Sequence, residues 1–342
     1  MNTKIENIKI NLSERSYDIT VGCGILKNAD KYLPIKNRRC VIVTDTGVPK
    51  EYSKTVASFC SEYKIITFEQ GEKSKNIETF AYICKEMLAF GLQRRDLVIA
   101  VGGGVVGDIA GYAAASYMRG VDFCNVPTTL LSMVDSSIGG KTAIDFCGVK
   151  NILGAFHQPR AVLIDTSLLS TLDKRQFSSG LAEIVKMSLT SDKALFELLE
   201  KDIWKDDINE TVVRALRIKK AVVEADEKEN ELRKILNFGH TFGHGVEACT
   251  ELLHGECVAL GMLPMSSETV RERLILLLKK MRLPHSLSVD PEEAFEFMNN
   301  DKKGDGSKVS AVFVDDIGSY RLEAIELSDL KKHIKASICK NT

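Results

Sequence analysis

The sequence contains no apolar run that approaches the roughly 18–20 residues needed to cross a membrane as a helix. Its N-terminal segment mixes charged residues throughout and offers no apolar core of a secretory signal. A basic excess is also missing, because 46 basic and 47 acidic residues leave a net charge of -1. We therefore expect a cytoplasmic protein that binds neither membranes nor nucleic acid.

The sequence also lacks closely paired cysteines. The nine cysteines are an odd number, are scattered along the chain and form no CxxC motif. This distribution predicts reduced thiols and argues against a disulfide framework or a four-cysteine zinc site. What the chain does have is length: 342 residues, 44% of them hydrophobic, are enough for two domains with substantial cores.

The first half of the chain alternates between strand and helix patterns. A hairpin is predicted at 4–12 and 17–21, a helix at 77–90, and buried strands at 38–44, 64–68, 96–101, 123–126 and 161–164. Apolar strands that alternate with helices are typical of a parallel sheet covered on both faces. We predict a Rossmann-like α/β domain over residues 1–168.

The second half is predicted to be mostly α-helical, over residues 169–342. Helical spacing extends over 174–189, 193–199, 209–225, 233–250 and 255–281, and a late hairpin is predicted at 309–314 and 319–325. A cleft between the two halves is the default place for a ligand.

A glycine cluster, GGGVVGD at 102–108, follows a predicted strand and opens a helix. Glycines allow the backbone to approach a ligand closely, and the helix N-terminus offers N–H groups to a pyrophosphate. The pattern differs from GxGxxG, so tight strand–helix packing alone is the alternative. Asp45 and the charged segment 71–75 are expected at neighbouring strand ends.

Three of the six histidines lie within fifteen residues, at His240, His244 and His254. Two of them are four residues apart, which places both imidazoles on one helix face. Catalytic zinc takes three protein ligands, and Glu183, between apolar neighbours, is a candidate carboxylate. The spacing favours His240 and His244 as ligands but leaves open which two of the three histidines bind.

Basic residues are spread over an otherwise neutral chain. The segment SSIGGKT at 136–142 offers glycine N–H groups and Lys141 to an anion, but it lacks the first glycine of a phosphate loop. Further cationic candidates are Arg119, Lys150, Lys186, Lys219 and Arg233. Taken singly, each is better explained as a solvated surface residue.

Together these segments resemble the 3-dehydroquinate synthase family. The resemblance covers residues 39–318 and rests on GEKSK at 71–75, GGGVVGD at 102–108, SYMRG at 116–120, VPTTLLSMVDSSIGGKTAID at 126–145, KN at 150–151, AEIVK at 182–186, LNFGHTFGH at 236–244 and HGE at 254–256. It implies a dehydroquinate synthase-like fold and a homodimer. It also implies a lyase that uses NAD and one divalent metal, zinc or cobalt.

The implied reaction converts 3-deoxy-D-arabino-heptulosonate 7-phosphate to 3-dehydroquinate and phosphate, a step of the shikimate pathway to aromatic amino acids. NAD would be reduced and regenerated within each turnover. A ketone formed by the oxidation would acidify the neighbouring C–H bond, so that phosphate could leave by elimination. Ring opening and an aldol step would then close the carbocycle.

The resemblance also assigns roles to residues. The metal ligands would be Glu183, His240 and His254, and His244 would face the substrate phosphate. The cofactor would be held by Asp45, Glu72, Lys75, Gly103, Gly104, Asp108, Thr128, Thr129, Lys150 and Thr171. The substrate would meet Asp135, Lys141, Asn151, Lys186, Lys219, Arg233, Asn237, His244 and, from the neighbouring subunit, Arg119. Lys302 or Lys303 would close on the phosphate.

Three other interpretations remain at this stage. A sister sugar phosphate cyclase would share the fold, NAD and metal but differ in the residues that recognise the substrate's end groups. A metal-dependent alcohol or glycerol dehydrogenase would release NADH in each turnover. A protein that binds the cofactor without catalysis would be favoured only if catalytic positions were lost, and none of the matched ones is.

Overall fold

The computed structural model of the protein describes residues 4–286, 290–300 and 308–339. The chain divides into two compact units, Met1–Leu172 and Asp173–Thr342. The first unit is α/β and the second mostly helical, which confirms the predicted fold class. The division after residue 168 stays a prediction for the limits of the two domains.

The first unit is built around a seven-stranded sheet in the order β1-β2-β9-β6-β5-β3-β4. Its strands are β1 Glu6–Ile10, β2 Tyr17–Gly22, β3 Arg39–Asp45, β4 Glu62–Phe68, β5 Leu97–Gly102, β6 Asp122–Pro127 and β9 Ala161–Asp165. The edge strand β1 pairs antiparallel with β2, and the other neighbours are parallel. Every residue of β5 is buried, as the continuous apolar run predicts for a central parallel strand.

Three helices accompany this sheet: α1 Lys50–Ala57, α2 Ile77–Ala89 and α3 Gly104–Ser116. Helix α1 was not predicted from the sequence. An antiparallel pair that stands apart from the main sheet was not predicted either: β7 Lys141–Phe146 and β8 Val149–Phe156. The segment that resembled part of a phosphate loop, 136–142, therefore leads into a β-hairpin, whose first strand begins at Lys141.

The second unit is formed mainly by helices. They are α4 Lys174–Ser191, α5 Lys193–Glu200, α6 Ile208–Ala225, α7 His240–Cys249, α8 His254–Met262, α9 Glu268–Lys280, α10 Pro291–Asn300 and α11 Leu327–Cys339. The predicted late hairpin is present as β10 Lys308–Phe313 and β11 Arg321–Glu326.

Two predicted helices are interrupted. The stretch 233–250 consists of a short 3-10 helix, Leu232–Asn237, and α7, because Gly239 takes a left-handed conformation at the N-terminus of α7. The stretch 255–281 is divided between α8 and α9. Among the described residues, no helix combines the length and hydropathy required to span a bilayer.

Candidate metal and dinucleotide sites

Three helices of the second unit bring one possible metal donor each to a common point. Glu183 lies in the middle of α4, His240 is the first residue of α7, and His254 is the first residue of α8. One donor atom from each of the three lies within 4.8 Å of the others. The glutamate is fully buried, whereas His254 remains about one-third exposed.

Close backbone packing holds these helices together. A Cβ atom on Gly255 would lie 2.0 Å from the Ser179 carbonyl oxygen of α4, and one on Gly261 would lie 1.8 Å from the Gly239 carbonyl oxygen. Only glycine permits such approaches. Since Ser179 is one helical turn before Glu183, and Gly255 adjoins His254, this contact sets the distance between the two donors.

An ion pair supports the same contact. Arg175, near the start of α4, donates from Nε and Nη2 to the two carboxylate oxygens of Glu256 in α8, at 2.7 Å each. Burial raises the pKa of Glu256, but the guanidinium outweighs it and the net shift is downward. The Glu256 carboxylate also accepts a hydrogen bond from the Leu253 backbone, at 2.8 Å.

The Glu183 carboxylate has the features expected of a metal ligand. Both of its oxygens are buried, and neither accepts a hydrogen bond within the described structure, although Lys186 lies in ion-pair contact with Oε2. Its Oε1 is 3.8 Å from His240 Nε2 and 3.7 Å from His254 Nε2. Two ligands of a tetrahedral zinc ion stand about 3.4 Å apart. The three residues therefore fit a small divalent cation.

The imidazoles of His240 and His254 are each oriented by a contact at the second ring nitrogen, Nδ1. His240 Nδ1 is 3.2 Å from the Phe238 carbonyl oxygen, and His254 Nδ1 is 3.3 Å from Glu247 Oε2. A proton on each Nδ1 leaves Nε2 available on the side that faces Glu183. Histidine ligands of metals are usually oriented in this manner.

The charges of the cluster suit a cation. Burial raises the pKa of Glu183, but Lys186 and the two histidines lower it by more. The net shift is downward, so the carboxylate is ionised. Burial and nearby Lys186 hold the pKa of His240 well below its usual value, which keeps that imidazole neutral. Burial lowers the pKa of His254, yet Glu183 and Glu247 raise it to about 9. A metal would take the place of the proton on His254 Nε2.

A second combination of donors shares one member with the first. His244, Glu247 and His254 also have donor atoms within 4.8 Å of one another. His244, the i,i+4 neighbour of His240, belongs to this second group. The His240 and His244 rings are 5.3 Å apart, and His244 is exposed. The second combination lacks a fully buried carboxylate, so the first is the better cation site.

The glycine loop of the first unit forms the expected strand–helix turn. β5 ends at Gly102 and α3 begins at Gly104, and the N-cap residue between them, Gly103, has no side chain that could cap the helix. Thr129 and the buried hydroxyl of Ser136 lie beside this turn, and the described residues offer that hydroxyl no hydrogen-bond partner. An uncapped helix N-terminus next to a buried donor fits a pyrophosphate.

A polar cluster around buried Lys75 includes Asp108, the last residue of the glycine loop. Lys75 is 5% exposed, and its Nζ is 2.5 Å from both Asp108 Oδ2 and Asn151 Oδ1. Burial lowers the pKa of Lys75, but Asp108 and Glu72 raise it above its usual value. The β7–β8 hairpin is also connected to Lys75 through the backbone, because the Asp145 N–H donates to the Lys75 carbonyl oxygen at 2.8 Å. The family resemblance implied that Lys75 and Asp108 hold the cofactor and that Asn151 meets the substrate.

The remaining cofactor candidates lie at strand ends. Asp45, at the end of β3, accepts from the backbone N–H groups of Gly47 and Val48 through Oδ1. The Thr128 N–H donates to the Gly102 carbonyl oxygen. The Thr171 hydroxyl is 2.8 Å from the hydroxyl of Tyr52, a residue on α1 that the sequence analysis did not identify.

The predicted substrate residues fall in both units. In the second unit, Lys219 and Arg233 are buried, and Asn237 donates to Glu229 at 2.9 Å. In the first unit, the candidates are Arg119, Asp135, Lys141 and Asn151. Arg119, Lys141 and Asn151 are exposed, and Arg119 has a φ of 65°. Lys302 and Lys303 lie outside the described residues.

The chain thus combines an α/β unit that contains a dinucleotide-type turn with a mostly helical unit that contains a Glu/His/His group able to hold a metal ion. Family models for the N-terminal and C-terminal parts of 3-dehydroquinate synthase match residues 65–179 and 180–304. The chain belongs to the 3-dehydroquinate synthase family.

Individual relatives agree with this assignment. A 3-dehydroquinate synthase of Clostridium acetobutylicum is 38% identical over 97% of this chain and 99% of its own. A solved 2-deoxy-scyllo-inosose synthase, bound to carbaglucose-6-phosphate, NAD+ and Co2+, superposes with a TM-score of 0.87 at 26% identity, covering 97% of this chain and all of that one. A 2-epi-5-epi-valiolone synthase of Streptomyces hygroscopicus, with NAD+ and Zn2+, gives 0.86 at 29% identity, over 97% and 99% of the chains.

Proposed function

We propose that this protein is an enzyme that converts 3-deoxy-D-arabino-heptulosonate 7-phosphate to 3-dehydroquinate and phosphate. The observation that carries the proposal is the buried Glu183 carboxylate, which faces two imidazoles at ligand distance in a chain of the 3-dehydroquinate synthase family. The solved cyclases bind NAD with cobalt or zinc, and the Glu/His/His site and the α3 turn supply places for both.

The cofactors would be held in separate units. Glu183, His240 and His254 would bind the metal, while the α3 N-terminus with Lys75 and Asp108 would bind NAD. When bound, NAD supplies a reversible hydride acceptor, and the metal supplies positive charge beside the substrate oxygen. The remaining cofactor contacts are proposed to come from Asp45, Glu72, Gly103, Gly104, Thr128, Thr129, Lys150 and Thr171.

The substrate carries a carboxylate and a phosphate, and the chain offers cations for both. Arg233 and Lys219 are buried in the second unit, where a desolvated charge binds an anion more strongly than it does in water. Arginine suits a bidentate contact with either anion, and lysine supplies a point charge. His244 is proposed to meet the phosphate, and Asn237 to orient the neighbouring hydroxyls. Lys186, Asp135, Lys141 and Asn151 complete the proposed set.

The test measures phosphate release and NADH absorbance together, with purified protein, this substrate, NAD and zinc. We expect phosphate release without net NADH, because the hydride returns to the substrate within the same turnover. Net NADH from simple polyols would contradict the proposal and favour a dehydrogenase. No phosphate release, with turnover of another sugar phosphate, would favour a sister cyclase.

Two variants connect the activity to the metal site. Glu183→Gln removes the buried carboxylate, and we expect it to abolish phosphate release and to weaken zinc binding by more than 100-fold, beyond the ~10–100-fold loss typical of residues behind the ligands. Glu268→Gln, an exposed glutamate at the start of α9, is the matched control and should leave both unchanged.

We further propose a cytoplasmic homodimer in which Arg119 serves the active site of the neighbouring subunit. Its exposed side chain, on a left-handed residue after α3, is consistent with a contact outside its own subunit. Mixing Arg119→Ala with a Lys219→Ala variant should restore part of the activity, since one site of each mixed dimer keeps both residues. Failure to recover activity in verified mixed dimers would remove this part of the proposal.

A further inference from the structure

Glu247 lies behind the proposed metal site rather than in it. It is in α7, two turns after His240, and its Oε2 is 3.3 Å from His254 Nδ1. The Nε2 of the same imidazole is 3.7 Å from Glu183 Oε1. A single ring therefore connects the two carboxylates, with one nitrogen directed to each.

The two histidines of the site differ in how they are oriented. The Nδ1 atom of His240 is opposite a backbone carbonyl, which is fixed by the chain leading into α7. The Nδ1 atom of His254 is opposite a side chain, and His254 is also the more exposed of the two rings. The orientation of His254 therefore depends on a side chain, which can be substituted, whereas that of His240 depends on the backbone.

We propose that Glu247 is a positioning residue for the metal: it accepts the Nδ1 proton of His254 and so fixes Nε2 toward Glu183. A carboxylate in this role also increases the electron density on the ligating nitrogen. The inference rests on the metal site of the proposed function, and it assigns Glu247 no contact with the metal.

The alternative role, as a ligand, is possible because Glu247 also belongs to the donor group with His244 and His254. Two observations favour positioning. The Glu247 side chain is 17% exposed, whereas that of Glu183 is 1% exposed and its oxygens accept no hydrogen bond within the described residues. If a metal were bound by Glu247 and His254 Nδ1, the buried Glu183 carboxylate would have Lys186 but not the metal to balance its charge.

The experiment measures Co2+ affinity by chelator competition and the visible spectrum of the Co2+ protein, without substrate or NAD. Wild type and Glu183→Gln are measured first. Binding that is lost in Glu183→Gln establishes the site itself. Wild-type protein that binds no Co2+, or Glu183→Gln that binds it normally, would refute the metal site, and the inference with it.

Glu247→Ala and Glu247→Gln then test the positioning role. We expect Ala to weaken Co2+ binding by ~10–100-fold, as is typical for removal of such a partner. Gln should lose less, because its amide oxygen still accepts from Nδ1. Both should keep the wild-type Co2+ spectrum at saturation, since the ligands are unchanged. Glu251→Gln, an exposed glutamate shortly after α7, is the matched control.

Two results would overturn the inference. If Gln and Ala weaken binding equally, by as much as Glu183→Gln, and alter the spectrum, Glu247 is a ligand. If neither variant changes the affinity, Glu247 has no role toward the metal. Far-UV circular dichroism of the metal-free variants separates either result from a general loss of folding.

Discussion

The contact between Gly255 and α4 can be tested with a single methyl group. In Gly255→Ala the new Cβ would lie 2.0 Å from the Ser179 carbonyl oxygen, whereas Cβ contacts shorter than 3.0 Å do not occur. The obstructing atom belongs to the backbone, so a rotamer change cannot relieve the clash. The start of α8 must therefore move away from α4 by about 1 Å, and overpacking of this kind costs about 1–3 kcal/mol.

The same movement should affect the metal site. His254 adjoins Gly255, and Glu183 is one turn after Ser179 on α4. A shift of about 1 Å adds to a donor separation that is already 3.7 Å, against about 3.4 Å for tetrahedral zinc. We expect zinc affinity to fall by about 10–100-fold, the loss seen when an orienting partner is removed.

Chemical unfolding followed by tryptophan fluorescence is the suitable stability assay. The chain has one tryptophan, Trp204, which lies in the second unit and stacks on Phe177 of α4. The signal therefore reports the unit that contains the substitution, even if the two units unfold separately. Zinc affinity is measured on the same preparation by chelator competition.

The matched control is Gly107→Ala in α3, where the nearest atom to the new Cβ is 3.4 Å away. Alanine is the better helix former by about 1 kcal/mol, so this variant should be unchanged or slightly stabilised when its unfolding is followed by circular dichroism. Wild-type stability and zinc affinity in Gly255→Ala would refute the argument that this glycine contact sets the donor geometry.

Three further predictions concern two cationic side chains, Lys75 and Arg175, and the zinc ion. Lys75→Met should lose about 3 kcal/mol of unfolding free energy by stranding the Asp108 carboxylate, and Asp108→Asn in the same chain should recover most of it; a fully stable single variant would contradict this. Arg175→Met should lose about 1–3 kcal/mol at pH 7. Because the pKa of Glu256 is depressed in the folded protein, that stabilisation is present above the unfolded pKa and lost as pH falls through the folded one. The stability curves should therefore converge between about pH 5 and pH 3, and a constant gap would argue against the pair. Zinc at 100 times its Kd should raise the unfolding free energy by about 2.7 kcal/mol, and no rise would argue against a native-state metal site.

Much of the first unit could be predicted because its strands are buried on both faces. A fully buried strand such as β5 appears in the sequence as a continuous apolar run, and the glycines after it indicate the turn into α3. The β7–β8 hairpin could not be predicted in this way. Most residues of β8 are exposed, and β7 starts within a glycine- and lysine-containing segment that resembles a phosphate loop.

Helix periodicity predicted the second unit well, but not where its helices stop. The pattern continues across Gly239 because Phe238 and Phe242 keep the helical spacing of four residues. The left-handed Gly239 nevertheless ends the 3-10 helix and lets α7 begin at His240. This break has a functional consequence. It leaves the Phe238 carbonyl oxygen outside α7, where it lies opposite His240 Nδ1 and orients the ring.

The proposed metal ligands show what local spacing cannot decide. Residues four apart share a helix face, and the His240 and His244 rings are indeed neighbours, 5.3 Å apart. A shared face does not make two side chains ligands of the same ion, because the position of the ion depends on the buried carboxylate that needs a cation. That carboxylate is on α4, and packing through Gly255 places His254, not His244, beside it. In the proposed site, the choice between the two histidines therefore depends on contacts between helices. A single sequence records those contacts only as glycines whose packing partners it does not specify.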